Sequence, residues 1–201
     1  MALVKLLETG NLPEDVQPMA RSGEEQYGKL LLTWRAIFNV PKIFNTYLPF
    51  LRSVAGPGLT KQSYKDLSAL YVGVLNNCKY TMVHRYNAAT KNGAAPEVVQ
   101  AVVTRQWSEL PSDFQVLLQV TEILTLKLPH IAYEESRDLL SPELRSALSA
   151  NFSDGELTEY LMSISVWNAL ARFHRVMNFE MDMPATPEYF EEIYSRGSQK
   201  I

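Results

Sequence analysis

The stretch NNCKYTMVHRYNAATKNG, residues 76–93, places a thiol, a hydroxyl and an imidazole at helical spacing. Cys78 is the chain's only cysteine, Thr81 follows it by three residues, and His84 follows Thr81 by three. Residues three apart are neighbours on one face of a helix. The spacing therefore predicts a row of Cys78, Thr81 and His84 that could carry out thiol chemistry or acid–base chemistry.

The asparagine pair that opens this stretch predicts how the row begins. If Asn77 caps a new helix, Cys78 occupies the first turn, where unpaired backbone amides and the positive end of the helix dipole favour a thiolate. Tyr80 should point elsewhere on the helix surface, towards the mouth of a cleft. Asp66, twelve residues before Cys78, should lie on the preceding helix and fold back towards the row.

Apolar residues at helical spacing, with residues typical of helix ends between them, occur along the whole sequence. EEQYGKLLLTWRAIFN predicts one helix, PKIFNTYLPFLRSV a second that Pro49 should bend or divide, and KQSYKDLSALYVGVL a buried third that the asparagine pair interrupts. Ser112 is predicted to cap a helix that Pro129 stops, and later helices also begin at serine or threonine. No strand-like alternation or long linker is present. We therefore predict an all-α fold with one domain over residues 1–201.

Composition excludes several classes of function. The net charge of −3 gives no basic surface for nucleic acid, and one cysteine cannot form an internal disulfide. No apolar run is long enough to span a bilayer, and MALVKLLETGNLPEDV reaches acidic and proline residues too early for a secretory signal. Three scattered histidines predict no zinc site, and no phosphate-binding or dinucleotide-binding motif occurs. The sequence predicts a cytoplasmic protein without cofactor, metal, nucleic-acid or membrane partner.

The pattern D-L-x-A-L-x-V-x-x-L-N-N-C-x-Y-T-x-x-H-(x8)-G resembles the core motif of the alkylhydroperoxidase-D-like (AhpD-like) and carboxymuconolactone decarboxylase family. The resemblance covers about residues 55–105, with Cys78, Tyr80, His84 and Gly93 in matching places and Asp66 where the family usually has glutamate. The late WNALARFHR segment is more loosely similar to the family's C-terminal helix. The resemblance implies an all-helical fold, a small-molecule substrate and a homo-oligomer, commonly a trimer or hexamer.

Thr81 stands where the peroxidase members of the family carry their second cysteine. An intramolecular disulfide cycle is therefore impossible with Cys78 alone. The resemblance is compatible with a cofactor-free lyase or isomerase that uses acid and base groups, and this is the interpretation that we favour from the sequence. The alternatives are a one-cysteine peroxidase, in which an outside thiol resolves a Cys78 sulfenic acid, and a non-catalytic oligomeric binding protein.

The favoured interpretation assigns a role to each candidate residue. His84 would be the general acid/base, because its ordinary pKa lies near working pH, and Asp66 would orient it or act as a base. Cys78, Tyr80 and Thr81 would donate hydrogen bonds to a substrate carbonyl or carboxylate. Further along the chain, Asn168 and Arg172 are four residues apart on one helix, and Arg172 could reach a substrate carboxylate.

Overall fold

Helices form all the regular structure in the part of the chain that the computed structural model describes, residues 2–196. This confirms the all-α prediction. Short 3₁₀ segments and one π turn join the helices. Within residues 2–196 the α-helices are α1 (Gln17–Tyr27), α2 (Leu32–Ile37), α3 (Pro41–Ala55), α4 (Gln62–Leu75), α5 (Lys79–Lys91), α6 (Pro96–Thr104), α7 (Ser112–Glu122), α8 (Pro142–Asn151), α9 (Asp154–Met177) and α10 (Tyr189–Arg196).

The α4–α5 hairpin lies at the centre of the molecule. Helix α4 is buried on nearly every side, as its apolar sequence predicted. The chain turns at Asn77, whose φ of 49° is in the left-handed region that asparagine tolerates better than most residues. A Cβ on Gly73 would lie 3.0 Å from the Met82 backbone nitrogen and 3.2 Å from Thr81 Cγ2. Glycine at position 73 therefore lets α5 approach the backbone of α4 closely.

Helix α9 packs along α4 and holds the turn in place. Its start is fixed by a capping box between Ser153 and Glu156. Two turns from its end, Asn168 Oδ1 accepts a hydrogen bond of 2.9 Å from Asn76 Nδ2, and Arg175 Nη1 donates to the Asn76 carbonyl at 3.0 Å. The bend predicted at the asparagine pair is thus present and is bonded to the late helix.

Three predicted details differ from the structure. The segment predicted as one helix before residue 40 is divided into α1 and α2 at Gly28, whose φ is 73°. Helix α3 is not divided at Pro49, one of the two outcomes predicted there, because this residue lies on the exposed face, where water can bond the freed carbonyl. Ser112 is the first residue of α7 and makes no capping hydrogen bond; Pro111 occupies the cap position.

Two segments without helical structure cover the open side of the α5–α9 pair. Residues 178–186, called here the strap, leave α9 at Asn178, whose φ is 52°, and cross α5. Residues 2–6 approach the same end of α9, where the Leu3 amide donates to the Met177 carbonyl at 3.0 Å. Within the described residues, none of the helices is both long and apolar enough for a membrane span.

Candidate active site

A continuous hydrogen-bonded row joins α5 to α9 and α2. Thr81 Oγ1 lies 3.1 Å from Cys78 Sγ and 2.9 Å from His174 Nδ1, and His174 Nε2 lies 2.9 Å from Thr33 Oγ1. Cys78 and Thr81 are each 1% exposed and His174 is 5% exposed. The predicted Cys78–Thr81 neighbours are therefore together, but the imidazole that completes the row is His174.

The protonation state of His174 follows from its burial. Desolvation, with a smaller contribution from the nearby His84, lowers the pKa of His174 to about 3, although the Asp182 carboxylate opposes this. The ring is therefore neutral near pH 7, with one nitrogen as donor and the other as acceptor. The Thr81 hydroxyl donates to Cys78 Sγ, so its oxygen accepts from Nδ1–H of His174. Rotation of the hydroxyl and the other ring tautomer give the reverse path, in which the Cys78 thiol donates through Thr81 to Nδ1. The hydroxyl links the two reactive groups in both cases.

Cys78 is the cap residue of α5 rather than a member of its first turn, because the left-handed Asn77 belongs to the preceding turn. This corrects the predicted cap at Asn77 by one position. Burial raises the pKa of the Cys78 thiol, whereas the Thr81 hydroxyl, the Thr81 and Tyr80 backbone amides and the Arg175 charge oppose the rise. Burial prevails, so the resting group is a thiol.

His84 lies on the same helix but points towards the strap. Its Nε2 is 2.7 Å from Asp182 Oδ1, and Lys29 Nζ is 3.4 Å from the other oxygen of that carboxylate. Although desolvation opposes the effect, the His84 hydrogen bond and charge together with Lys29 hold the pKa of Asp182 below its ordinary value. His84 therefore belongs to a carboxylate–imidazole pair whose acid comes from the strap.

Asp66 does not reach His84, and this corrects the predicted pairing. Its two oxygens accept hydrogen bonds from Arg85 Nη2 at 2.7 Å, Asn92 Nδ2 at 2.7 Å and Gln62 Nε2 at 3.1 Å. The Arg85 guanidinium also lies 4.6 Å from the centre of the Trp167 ring. Asp66 is 4% exposed and the Arg85 side chain 13% exposed, so the structure places Asp66 in a largely buried ion pair that joins α4, α5 and α9.

Asn168 and Arg172 do not form a shared binding face. Asn168 is buried and bonds Asn76 and Thr125, whereas Arg172 is exposed. Four residues on an α-helix rotate a side chain by about 40°, which here carries position 172 out of the interface between α9 and α4. The amide therefore holds the α4–α5 turn, and the guanidinium faces solvent.

Tyr80 is buried rather than directed to a cleft mouth. Its ring packs against His84 at 4.1 Å, His174 at 4.9 Å and Phe179 of the strap at 5.1 Å between ring centres. Desolvation and the Asp182 charge raise the pKa of its hydroxyl, so Tyr80 is neutral. Although Thr33 is near, Tyr80 Oη makes no well-formed hydrogen bond to any described residue.

Sequence reasoning missed Thr33, His174 and Asp182 as members of the cluster. His174 follows the buried Trp167, Leu170 and Ala171 at helical spacing, so periodicity could have predicted its burial. The other two carry no local signal, because they come from a short helix and from the strap. Among residues 2–196, no three potential ligand side chains lie close enough to hold a metal ion.

Comparison with solved structures places this arrangement on a known fold. An uncharacterised peroxidase-related protein from Silicibacter sp. TM1040 is 16% identical, with a TM-score of 0.72 over 90% of this chain and 92% of that chain. An uncharacterised peroxidase-related protein from Ralstonia eutropha JMP134, described as an alkylhydroperoxidase AhpD core, is 12% identical, with a TM-score of 0.75 over 96% and 94% of the two chains.

A third solved structure has a stated enzymatic activity. The debrominase Bmp8, as a cysteine-to-alanine variant in complex with 2,3,4-tribromopyrrole, is 17% identical, with a TM-score of 0.75 over 96% of this chain and 98% of that chain. The chain matches no family model and no curated protein. The chain has the AhpD-like fold, which confirms, at the level of fold, the resemblance found in residues 55–105.

Proposed function

We propose that this protein is a single-cysteine, thiol-dependent reductase of small electrophiles, with an organic hydroperoxide as the model substrate. The observation that carries the proposal is the Cys78–Thr81–His174 row, because it connects a thiol to a neutral imidazole through one hydroxyl. The peroxidase-related and debrominase proteins of the same fold add support. The sequence predicted a one-cysteine peroxidase only as an alternative and gave no role to His174.

The row supplies a proton path for the first step. The Cys78 proton moves to Thr81 Oγ1 as the Thr81 proton moves to His174 Nδ1, which leaves a thiolate and an imidazolium. The thiolate attacks the terminal peroxide oxygen, the O–O bond breaks, and the leaving alkoxide receives the proton back from His174 through Thr81. Burial raises the pKa of the Cys78 thiol and lowers the pKa of His174 to about 3, so the thiolate–imidazolium pair is a high-energy state that forms only transiently. Its imidazolium therefore returns the proton readily to the alkoxide.

An external thiol closes the cycle, because the chain has no second cysteine. The Cys78 sulfenic acid condenses with one thiol, releasing water and forming a mixed disulfide. A second thiol attacks this disulfide and releases the Cys78 thiol together with the oxidised reductant. The sum is one hydroperoxide and two thiols converted to one alcohol, one disulfide and one water.

The decisive test compares Cys78→Ser, Thr81→Val and the matched control Thr90→Val in the reduction of cumene hydroperoxide by dithiothreitol. Thr90 lies on the same helix, and its hydroxyl donates to the carbonyls of Tyr86 and Asn87. We expect Cys78→Ser to lose turnover and Thr81→Val to lower kcat by about 100-fold through loss of the proton path. Equal rates in Thr81→Val and Thr90→Val would contradict the relay, and turnover in Cys78→Ser would contradict the nucleophile.

His84 supports a second candidate, the acid–base chemistry favoured from the sequence. Its Nε2 lies 2.7 Å from Asp182 Oδ1, so a carboxylate can orient the ring. The second candidate is a lyase in which His84 is the general acid/base. Asp182, rather than Asp66, would orient the His84 ring or act as a base. Substrate contacts by Tyr80, Thr81 and Arg172, predicted from helix spacing, remain proposals. A trimeric or hexameric assembly remains a proposal that the family resemblance implies.

Carboxymuconolactone is the probe for this second candidate. We expect carbon dioxide release to persist in Cys78→Ser and to fall by about 100-fold in His84→Gln, because the glutamine retains a hydrogen-bonding group but cannot carry the proton. Thermal melting of both variants controls for folding. Loss of release in Cys78→Ser with full release in His84→Gln would assign any activity to the thiol instead.

A further inference from the structure

A surface groove of about 530 Å³ lies on the outer side of the buried row. Its size falls within the range of small-molecule sites. Five of its lining side chains are apolar, and the three charged ones are Lys5, Arg35 and Glu180. The Arg35 charge is already paired with Glu8, and its Nε donates to the Leu7 carbonyl. The apolar residues that line the groove are Ala2, Leu3, Val4, Leu6 and Leu32.

At two places, called here the partition, residues adjacent in sequence contact the groove and the row. Leu32 lines the groove, and the next residue, Thr33, bonds His174. On the strap, Glu180 lines the groove, and the preceding residue, Phe179, packs on the rings of Tyr80 and His174. The groove and the row therefore meet at Leu32–Thr33 on α2 and at Phe179–Glu180 on the strap.

An unsatisfied hydroxyl stands at this partition. Tyr80 is 4% exposed, and the Thr33 side chain and the Leu32 and Thr33 backbone groups lie near its hydroxyl, all acting to stabilise the phenolate. None of these groups has hydrogen-bond geometry with Tyr80 Oη, so the hydroxyl has no partner among the described residues. A buried donor without an acceptor is costly unless a bound group supplies one.

We propose that the groove bounded by residues 2–6, Leu32 and Glu180 is the substrate entrance, and that Tyr80 donates a hydrogen bond to the substrate. The ligand class is a small, uncharged, mainly apolar molecule with one oxygen acceptor, such as an aryl-alkyl hydroperoxide. An uncharged ligand fits because the lining is mostly apolar and the thiol, phenol and imidazole behind it are all neutral at rest. The inference rests on the proposed reductase function for its choice of substrate.

The experiment measures binding of 2-phenyl-2-propanol, the alcohol left after reduction of cumene hydroperoxide, by ligand-observed NMR. Leu3→Trp fills the groove from a side chain that is 66% exposed, and Leu59→Trp is its matched control at 65% exposure. Leu59 contacts the beginning of α9, at Gly155, which lies about 33 Å along the helix from Met177 at 1.5 Å per residue.

We expect Kd to rise at least about tenfold in Leu3→Trp, and about tenfold in Tyr80→Phe through loss of one hydrogen bond. Leu59→Trp should bind as the unmodified protein does. No binding, or equal binding in Leu3→Trp and Leu59→Trp, would overturn the groove. Binding of the alcohol does not require turnover of the thiol. If the alcohol binds but the peroxide is not reduced, the proposed reductase function is wrong and the groove proposal stands. If Leu3→Trp leaves peroxide reduction unchanged, the groove is not the substrate entrance and the reductase function stands.

Discussion

Replacing Asp66 with alanine is expected to lower the free energy of unfolding by about 3–5 kcal/mol, the cost of leaving a buried charge without its partner. The Arg85 side chain is only 13% exposed and packs on Trp167. After the substitution, little water could reach its guanidinium in place of the lost carboxylate. The Asn92 and Gln62 amides would lose the same acceptor. Urea denaturation of the purified protein measures the change.

An exposed ion pair supplies the control for this prediction. Glu191 is 69% exposed and lies 3.7 Å from Lys79, so Glu191→Ala should cost less than about 1 kcal/mol. The double variant Asp66→Ala with Arg85→Met should be more stable than Asp66→Ala alone, because it removes the stranded charge. If Asp66→Ala lowered the free energy of unfolding no more than Glu191→Ala does, the Asp66–Arg85 pair would not contribute the predicted stability.

Stability is expected to fall by about 2 kcal/mol between pH 6.5 and pH 5 because of His174, at 1.36 kcal/mol for each pH unit. In the unfolded chain its pKa is near the ordinary value of about 6.5, and in the folded protein it is about 3. Between these values the unfolded state binds a proton that the folded state does not. The stabilisation is therefore complete above about pH 6.5 and is lost as the pH falls.

The variant His174→Gln separates this effect from other titrations. Glutamine does not titrate, so the decline in unfolding free energy between pH 6.5 and pH 5 should be smaller in the variant by about the same 2 kcal/mol. Asp182 and Glu159, whose pKa values lie below those of ordinary carboxyl groups, titrate below this interval. The comparison uses urea denaturation at several pH values, and parallel pH profiles for the two proteins would disprove the assignment.

Local pattern was enough for the fold class and for the turn that begins the candidate site. Apolar spacing predicted the helices, the asparagine pair predicted the end of α4, and the three-residue spacing predicted that Cys78 and Thr81 would touch. The predicted contact between Asp66 and His84 was wrong by one residue, because Asp66 binds Arg85 instead. His84 and Arg85 are adjacent in sequence but point about 100° apart on the helix, and only packing decides which one faces α4.

The remaining parts of the site depend on contacts that no local pattern encodes. The strap residues Phe179 and Asp182 lie in a segment without helical or strand periodicity, so their positions over Tyr80 and His84 follow from tertiary packing alone. Thr33 reaches His174 across 141 positions of sequence. Arg172 was given a binding role because it carries a charge near Asn168, although the rotation of α9 directs it to solvent.

The wide sequence separation within the hydrogen-bonded row has a consequence for folding kinetics. Cys78 and Thr81 meet within one helical turn, whereas Thr81 and His174 are 93 residues apart. Closing a long chain segment costs entropy before its contacts are gained, so local helices form ahead of distant pairings. During refolding, the helical content should therefore recover while the sulfur is still open to alkylating reagents, and the reactive centre would be among the last parts of the molecule to assemble.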